Sequence, residues 1–544
     1  MAASSIRFVG GRYGVPNGTL SALLRAGIDK SSWPNTKLSS VCKPQIIYSC
    51  HVAFPPDRGS TQPGAVSVSS DGIIDGCYPN LSIYQAKSLA ETLNRDLTDL
   101  GPDIALSSGL IDVHCHISEL GRDWEGYSTA TRAAAAGGIT TLMGMPLNSI
   151  PATTSTDALV REVAAASNDG TTLMADVGLW GGAVPANVTD SAALSGLLDG
   201  GVFGLKAFLA PLPPGAGYDA VDPVQLAAAA RICGDRKKPL LVHSELMTED
   251  QVAVAVQKAY SGTKNGHTAH LASRPAQWER DAVRTVCELA DICHMHVVHL
   301  SDSGCLDLIA EAKDRIAKGR GRVRGGRGAL TVETCPHYLL FHSEAVPESD
   351  TRYKCFPPIR GQENQLDLWG RGMTTSADGP PLIDMVASDH SPCPPDLRCA
   401  DDANMRDAWG GLSGLQYQLP ATSTAFQRAR AGADGGDGDL LVGCVAEWWS
   451  RAPSQLVPGL SSIKGEIAVG RQADLCAWDP TFVGRPSDRV AEHHRWPGGG
   501  VYADMELRGR VAGTWLRGVR VYDGERDAFV ADDDGAGSLM LSCR

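Results

Sequence analysis

The chain has 544 residues, 43% of them hydrophobic, too long for one minimal domain and enough for a large barrel with an accessory unit. Lys+Arg 49 against Asp+Glu 62 leaves a net charge of −13, which speaks against a general nucleic-acid binder. No run reaches the roughly 18 apolar residues of a membrane span, and charged residues at 20% with 60 glycines do not describe a charge-driven disordered chain.

Residues 1–44 read as an N-terminal extension. Within residues 1–40, Arg7, Arg12, Arg25, Lys30 and Lys37 stand against the single acid Asp29, the composition of an organelle transit peptide such as a mitochondrial one. No apolar h-region accompanies the charge, so a cytoplasmic extension without an address is the other reading. Residues 45–105 have short strand-like runs and turns, among them Gln45–Val52, Ala65–Ser69 and the Asp71-Gly72 turn. Residues 464–530 repeat that texture. Together they predict a small β-sandwich assembled from both chain ends, followed by a tail at 531–544.

The middle, residues 106–463, alternates. Apolar runs recur at Gly109–Val113, Ile139–Met143, Thr172–Leu179, Val202–Leu209, Pro239–Val242, His296–Leu300, Ala329–Thr334 and Ile383–Ser388. Stretches with apolar residues at helical spacing separate them at Trp124–Ala136, Val224–Arg231 and Trp278–Ala290. Eight runs with interleaved helices predict an α/β fold of the (β/α)8 TIM-barrel type. A doubly wound sheet would alternate in the same way, so the placement of polar residues must decide. The Gly/Arg segment 318–328 and the Gly/Asp-rich segment 428–439 read as surface insertions, the first with a second reading as an RNA-binding loop. The 15 cysteines lack the paired spacings of a disulfide framework or zinc finger, which predicts reduced thiols in a reducing compartment.

Chemistry gathers where the runs end. The first closes on Asp112-Val113-His114-Cys115-His116, and alternate residues of a strand point the same way. The fourth holds Lys206 in an otherwise apolar Phe203–Leu209. The fifth ends at His243, the sixth at His299 and the eighth at Asp389. In a parallel barrel those C-terminal strand ends converge on one mouth. Imidazoles suit zinc, and two divalent ions about 3.5–4 Å apart with a bridging anion acidify the water between them. A buried, unpaired ammonium at Lys206 would cost several kcal/mol, of order the usual burial penalties. Reaction with CO2 removes that problem by making Lys206 a carbamate, a bridge of longer reach than Asp or Glu. Asp389 could then take a proton from the water and hand it to a leaving nitrogen.

These segments carry a resemblance. Gly109–His116, Gly204–Leu209, Val242-His243-Ser-Glu245, Val298-His299-Leu-Ser301 and Ser388-Asp389-His-Ser-Pro-Cys393 resemble the cyclic amidohydrolases of the amidohydrolase superfamily. Trp124-Glu125-Gly126, Thr131–Thr141, Met145–Pro151, Leu271–Pro275, Glu333-Thr-Cys-Pro-His-Tyr338 and Ala408–Gly414 make the likeness greatest to its allantoinases, over roughly residues 45–525. The resemblance implies that His114, His116 and Asp389 hold the more buried metal, His243 and His299 the more exposed one, and N6-carboxylated Lys206 bridges them. It implies a hydroxide attacking a ring amide of allantoin to give allantoate, Asp389 as general base and acid, no organic cofactor, and a homotetramer. Substrate contacts would come from Phe356, Gly410 and Gly411.

Several positions sort the relatives. Dihydroorotases usually carry Arg two residues after the second His to pair with a carboxylate; here that residue is Ser118, which suits a neutral ring. Leu120 replaces a common Pro, and Phe356 replaces a small residue before Pro357-Pro358, which bears on the pocket's width. A hydantoinase or dihydropyrimidinase activity is the alternative within the group. A non-catalytic scaffold of the same fold is the alternative outside enzymology, and it would be expected to lose metal ligands.

Overall fold

The computed structural model describes residues 5–9, 42–55, 60–168, 170–213, 215–261, 265–319, 329–374, 380–399, 401, 403–430, 437–530 and 535–542. Most of the expected transit peptide, residues 320–328 of the Gly/Arg segment and residues 431–436 of the Gly/Asp-rich segment lie outside the described residues.

The protein is a mixed α/β structure built on parallel sheets. Its parallel strands are β1 (Leu110–Cys115), β2 (Ile139–Gly144), β3 (Asp176–Leu179), β4 (Leu205–Phe208), β5 (Leu240–His243), β6 (His294–Val297), β7 (Ala329–Thr334) and β8 (Met385–Val386). Each overlaps one of the eight apolar runs. β1, β2 and β3 pair in parallel. The two-residue strand Gly181–Gly182, just after β3, starts a second parallel series that runs through β4 to β8. A parallel bridge between Cys115 and His390, with the His116 amide donating to the His390 carbonyl at 2.9 Å, sets the stretch after β8 beside β1.

β1, β2, β4 and β5 are buried along their whole length. Strands covered on both faces read as continuous apolar runs rather than alternating ones, which is why the runs were visible. Helices pack between them. Tyr127–Ala136 buries Ala130 and Ala133 to Ala136, small side chains that let the helix lie close to the sheet. Pro223–Arg236 starts at a capping box in which Asp222 accepts from the Gln225 amide at 2.8 Å and Gln225 returns the bond at 3.0 Å.

The chain ends meet in a nine-stranded sheet. Strand Leu475–Gly484 runs antiparallel to Ala105–Ser108, with Leu475 opposite Ser108 and Trp478 opposite Ala105. Ile47, Val66, Leu106, Leu475 and Trp515 close its core. The N-terminal extension and the tail also carry strands. Ser5–Val9 pairs in parallel with Ser538–Ser542, which touches β3 at Leu539 opposite Val177. Val9 and Met540 pack with Ile111, Met143, Phe203 and Leu241. Five-residue strands flanked by Gly, Ser and Asp leave no periodic signal of their own. Among the described residues every cysteine is a free thiol, and no helix is long and apolar enough to cross a membrane.

Candidate metal centre

Five of the six expected ligands, His114, His116, His243, His299 and Asp389, sit at the C-terminal ends of β1, β5, β6 and β8 or just beyond them, whereas Lys206 is the second residue of β4. Ile111 and Val113 join the interior cluster, yet His114 and His116 line the cavity. A register irregularity between Asp112 and Cys115 accounts for the change of face, as bulges beside functional sites do. Strand β6 ends at Val297, so His299 lies two residues past it with φ 40°. Asp389 likewise stands beyond β8 with φ 46°. Both are placed by left-handed backbone that non-glycine residues seldom adopt.

One ligand atom each from His114, His116 and Asp389 lies within 4.8 Å of the others. Nε2 of His114 and of His116 approach Asp389 Oδ1 at 3.2 and 3.4 Å. His243 Nδ1 and His299 Nε2 are 2.9 Å apart, and the His114 and His299 rings are 5.4 Å apart. Lys206 is fully buried, and its Nζ has no hydrogen-bond partner. Burial pushes its pKa down to about 8 against the pull of Glu333 and Asp389. Burial likewise lowers His116, His243 and His299, and the Lys206 charge adds to all three shifts. Burial opposes ionisation of Asp389, but His114, His116 and His299 outweigh it and hold the carboxyl well below the usual range.

This donor set fits divalent cations. Neutral imidazoles and an ionised carboxylate converge, while Lys206 Nζ and His299 Nδ1 are buried polar atoms with nothing to bond. Such orphans are costly unless a ligand satisfies them.

The orienting carboxylates escaped the sequence reading. Glu333, fully buried on β7, sits 2.5 Å from His114 Nδ1 and 3.0 Å from His296 Nε2, and accepts from the His299 amide at 3.2 Å. Burial raises its pKa, but His114 and His296 outweigh that and hold it at about 2. Glu245 Oε2 is 3.0 Å from His243 Nε2 and accepts from Arg274 Nη2 at 2.7 Å. Two-residue spacing from His243 was the signal available for Glu245; Glu333 had none, being 219 residues from His114. Carboxylates behind metal-binding imidazoles fix the ring and raise its basicity, and losing one typically costs about 10–100-fold in affinity. Glu333→Gln is therefore expected to weaken divalent-metal binding by about that factor in chelator competition; unchanged affinity would contradict the role.

His114, His116, His243, His299 and Asp389 share one cavity of about 620 Å³ with Phe356, Gly410, Gly411, Asn148, Arg274 and Trp409. The Phe356 ring lies under the Arg274 guanidinium at 4.6 Å and edge-on to His270 at 5.1 Å. A Cβ at position 410 would come within 2.3 Å of that ring, so the large side chain at 356 and the glycine at 410 are matched. Ser118 is buried.

The fold is that of solved hydantoinases. L-hydantoinase (dihydropyrimidinase) from Arthrobacter aurescens matches with TM-score 0.75 at 23% identity, over 92% of this chain and 99% of that one. No family model matches the chain. Fold and site thus define a hydantoinase-fold protein with a His/Asp cluster suited to divalent metal. Among sequences, the allantoinase of Arabidopsis thaliana is 39% identical over 451 residues, 81% of each chain. That of Streptomyces avermitilis is 42% identical over 491 residues, 88% of this chain and 96% of the relative. The chain belongs to the allantoinase family.

Proposed function

We propose that this chain is a metal-dependent hydrolase that opens the ring amide of allantoin to give allantoate. The observation that carries the reading is the meeting of His114, His116, His243, His299 and Asp389 on one cavity, with the buried, unpartnered Lys206 in the field of Asp389, in a chain 42% identical to an allantoinase over 491 residues. Those six would hold a pair of divalent ions, zinc by the nature of the donors, with Lys206 as its carbamate. When bound, the ions supply an acidified water and an electrophilic contact for the amide carbonyl.

The chain's own residues do the rest. The Asp389 carboxylate takes a proton from the attacking water and delivers it to the ring nitrogen as the C–N bond breaks. Glu333 and Glu245 hold the imidazoles of His114 and His243 in place. Backbone at Phe356, Gly410 and Gly411 holds the amide being cleaved. Ser118 stands two residues after the second histidine, where dihydroorotases usually carry an arginine to pair with a carboxylate, which favours a neutral ring over a carboxylate-bearing one.

The reading carries a (β/α)8 barrel over residues 106–463, for which the Cys115–His390 bridge is the supporting contact. It also carries a β-sandwich from residues 45–105 and 464–530, a homotetramer, and a mitochondrial or cytoplasmic address decided by residues 1–44. Chelator-stripped protein is expected to lose allantoin hydrolysis and to regain it with two zinc ions per chain. Full activity in metal-free protein would overturn the reading.

A further inference from the structure

The junction between β7 and the short helix Pro336–Leu340 reaches three parts of the site at once. Glu333 orients His114. The Tyr338 hydroxyl donates to the Pro357 carbonyl at 2.7 Å, tying down the loop that carries Phe356. Between them, His337 is 1% exposed, and neither ring nitrogen has a hydrogen-bond partner. One of those nitrogens, a carboxylate oxygen of Asp389 and the Cys335 sulfur lie within 4.8 Å of one another.

A buried imidazole stays neutral and therefore offers one N–H donor and one acceptor. Leaving both unused is unfavourable. The Asp389 carboxylate is the strong acceptor in reach, and a gap of this size is spanned by a small ring rotation or by one water. His114 and His116 both approach Oδ1 of Asp389, so Oδ2 is the oxygen free to carry a proton.

We infer that His337 is a positioning residue for Asp389, donating its ring N–H to the carboxylate, directly or through one water, and holding it in line for proton transfer. This rests on the reading of Asp389 as the proton carrier. A carboxylate left to rotate would still bind metal and substrate, so the loss falls on turnover.

The test compares His337→Leu and His337→Asn in the zinc-loaded, full-length protein, reading metal per chain, thermal midpoint, kcat and KM for allantoin. His337→Leu is expected to keep the native zinc content and KM within about twofold while kcat falls about 10–100-fold, the scale of acid–base contributions. His337→Asn, which retains an N–H donor, is expected to recover to within about tenfold of native kcat. Should the leucine variant fail to fold, His337→Phe, which fills the space without a donor, takes its place, with the same expected fall in kcat at native KM and zinc content. Unchanged kcat in the folded donor-free variant, or a loss that follows lost zinc, would overturn the inference. So would three zinc ions in the native chain falling to two in the variants, which would make Cys335 and His337 ligands. Absence of allantoin turnover in the native protein would instead defeat the proposed function, before the variants are compared.

Discussion

Lys206→Ala is expected to lower kcat/KM for allantoin by about a thousandfold or more, some 4 kcal/mol of transition-state stabilisation. The purified variant should hold less than the native complement of divalent metal. The reason lies in where the lysine sits. Its Nζ is buried in β4 with no partner, and burial pulls it down to about 8, which raises the share of free amine able to react with CO2. Its charge also reaches His116, His243 and His299, so a carbamate there would stand among the imidazoles. On the proposed reading alanine would remove the bridging carbamate, and short carboxylic acids would be expected to stand in for it. Partial rescue of zinc content and turnover by such acids supports the carbamate. Native zinc content and turnover in Lys206→Ala without any added acid would refute it.

Asp389→Asn separates binding from chemistry. The amide keeps the size of the carboxylate and one oxygen for coordination, but it cannot accept and release a proton at neutral pH. Zinc content is expected to stay near native while kcat falls about 10²–10⁴-fold, the contribution of a positioned general acid and base. Retention of near-native kcat would remove Asp389 from the proton path. A parallel loss of zinc and kcat would reduce it to a ligand.

The candidate ligands were legible because four histidines and Asp389 stand where apolar runs end and Lys206 stands inside one, places where a polar residue is conspicuous. His114 and His116 also share a face by the two-residue period. The parallel α/β character was legible for a related reason, since strands such as Leu240–His243 are buried on both faces. What stayed hidden depends on contacts between strands far apart in the chain. Glu333 meets His114 across 219 positions, and local periodicity cannot say which carboxylate faces which imidazole. The same holds for Arg274 behind Glu245, for His337 beside Asp389, and for His390, whose Nε2 is 3.1 Å from Glu125 and whose Nδ1 accepts from the Gly414 amide. The left-handed backbone at His299 and Asp389 had no signal either, because it is imposed by the surroundings rather than by residue type.

The Phe356–Gly410 pair illustrates a middle case. Phe356 stood out as a bulky residue where a small one is usual. That Gly410 leaves room for its ring became visible only in three dimensions. The large side chain is thus accommodated by its neighbours, with the cavity still about 620 Å³.

The most direct test of the whole account is a substrate panel run on zinc-reconstituted protein with allantoin, hydantoin, dihydrouracil and dihydroorotate. Allantoin is expected to be turned over with a kcat/KM at least about a hundredfold above each of the others, a discrimination of roughly 3 kcal/mol. Faster turnover of hydantoin, dihydrouracil or dihydroorotate, or no turnover of any of the four by the metal-loaded chain, would contradict it.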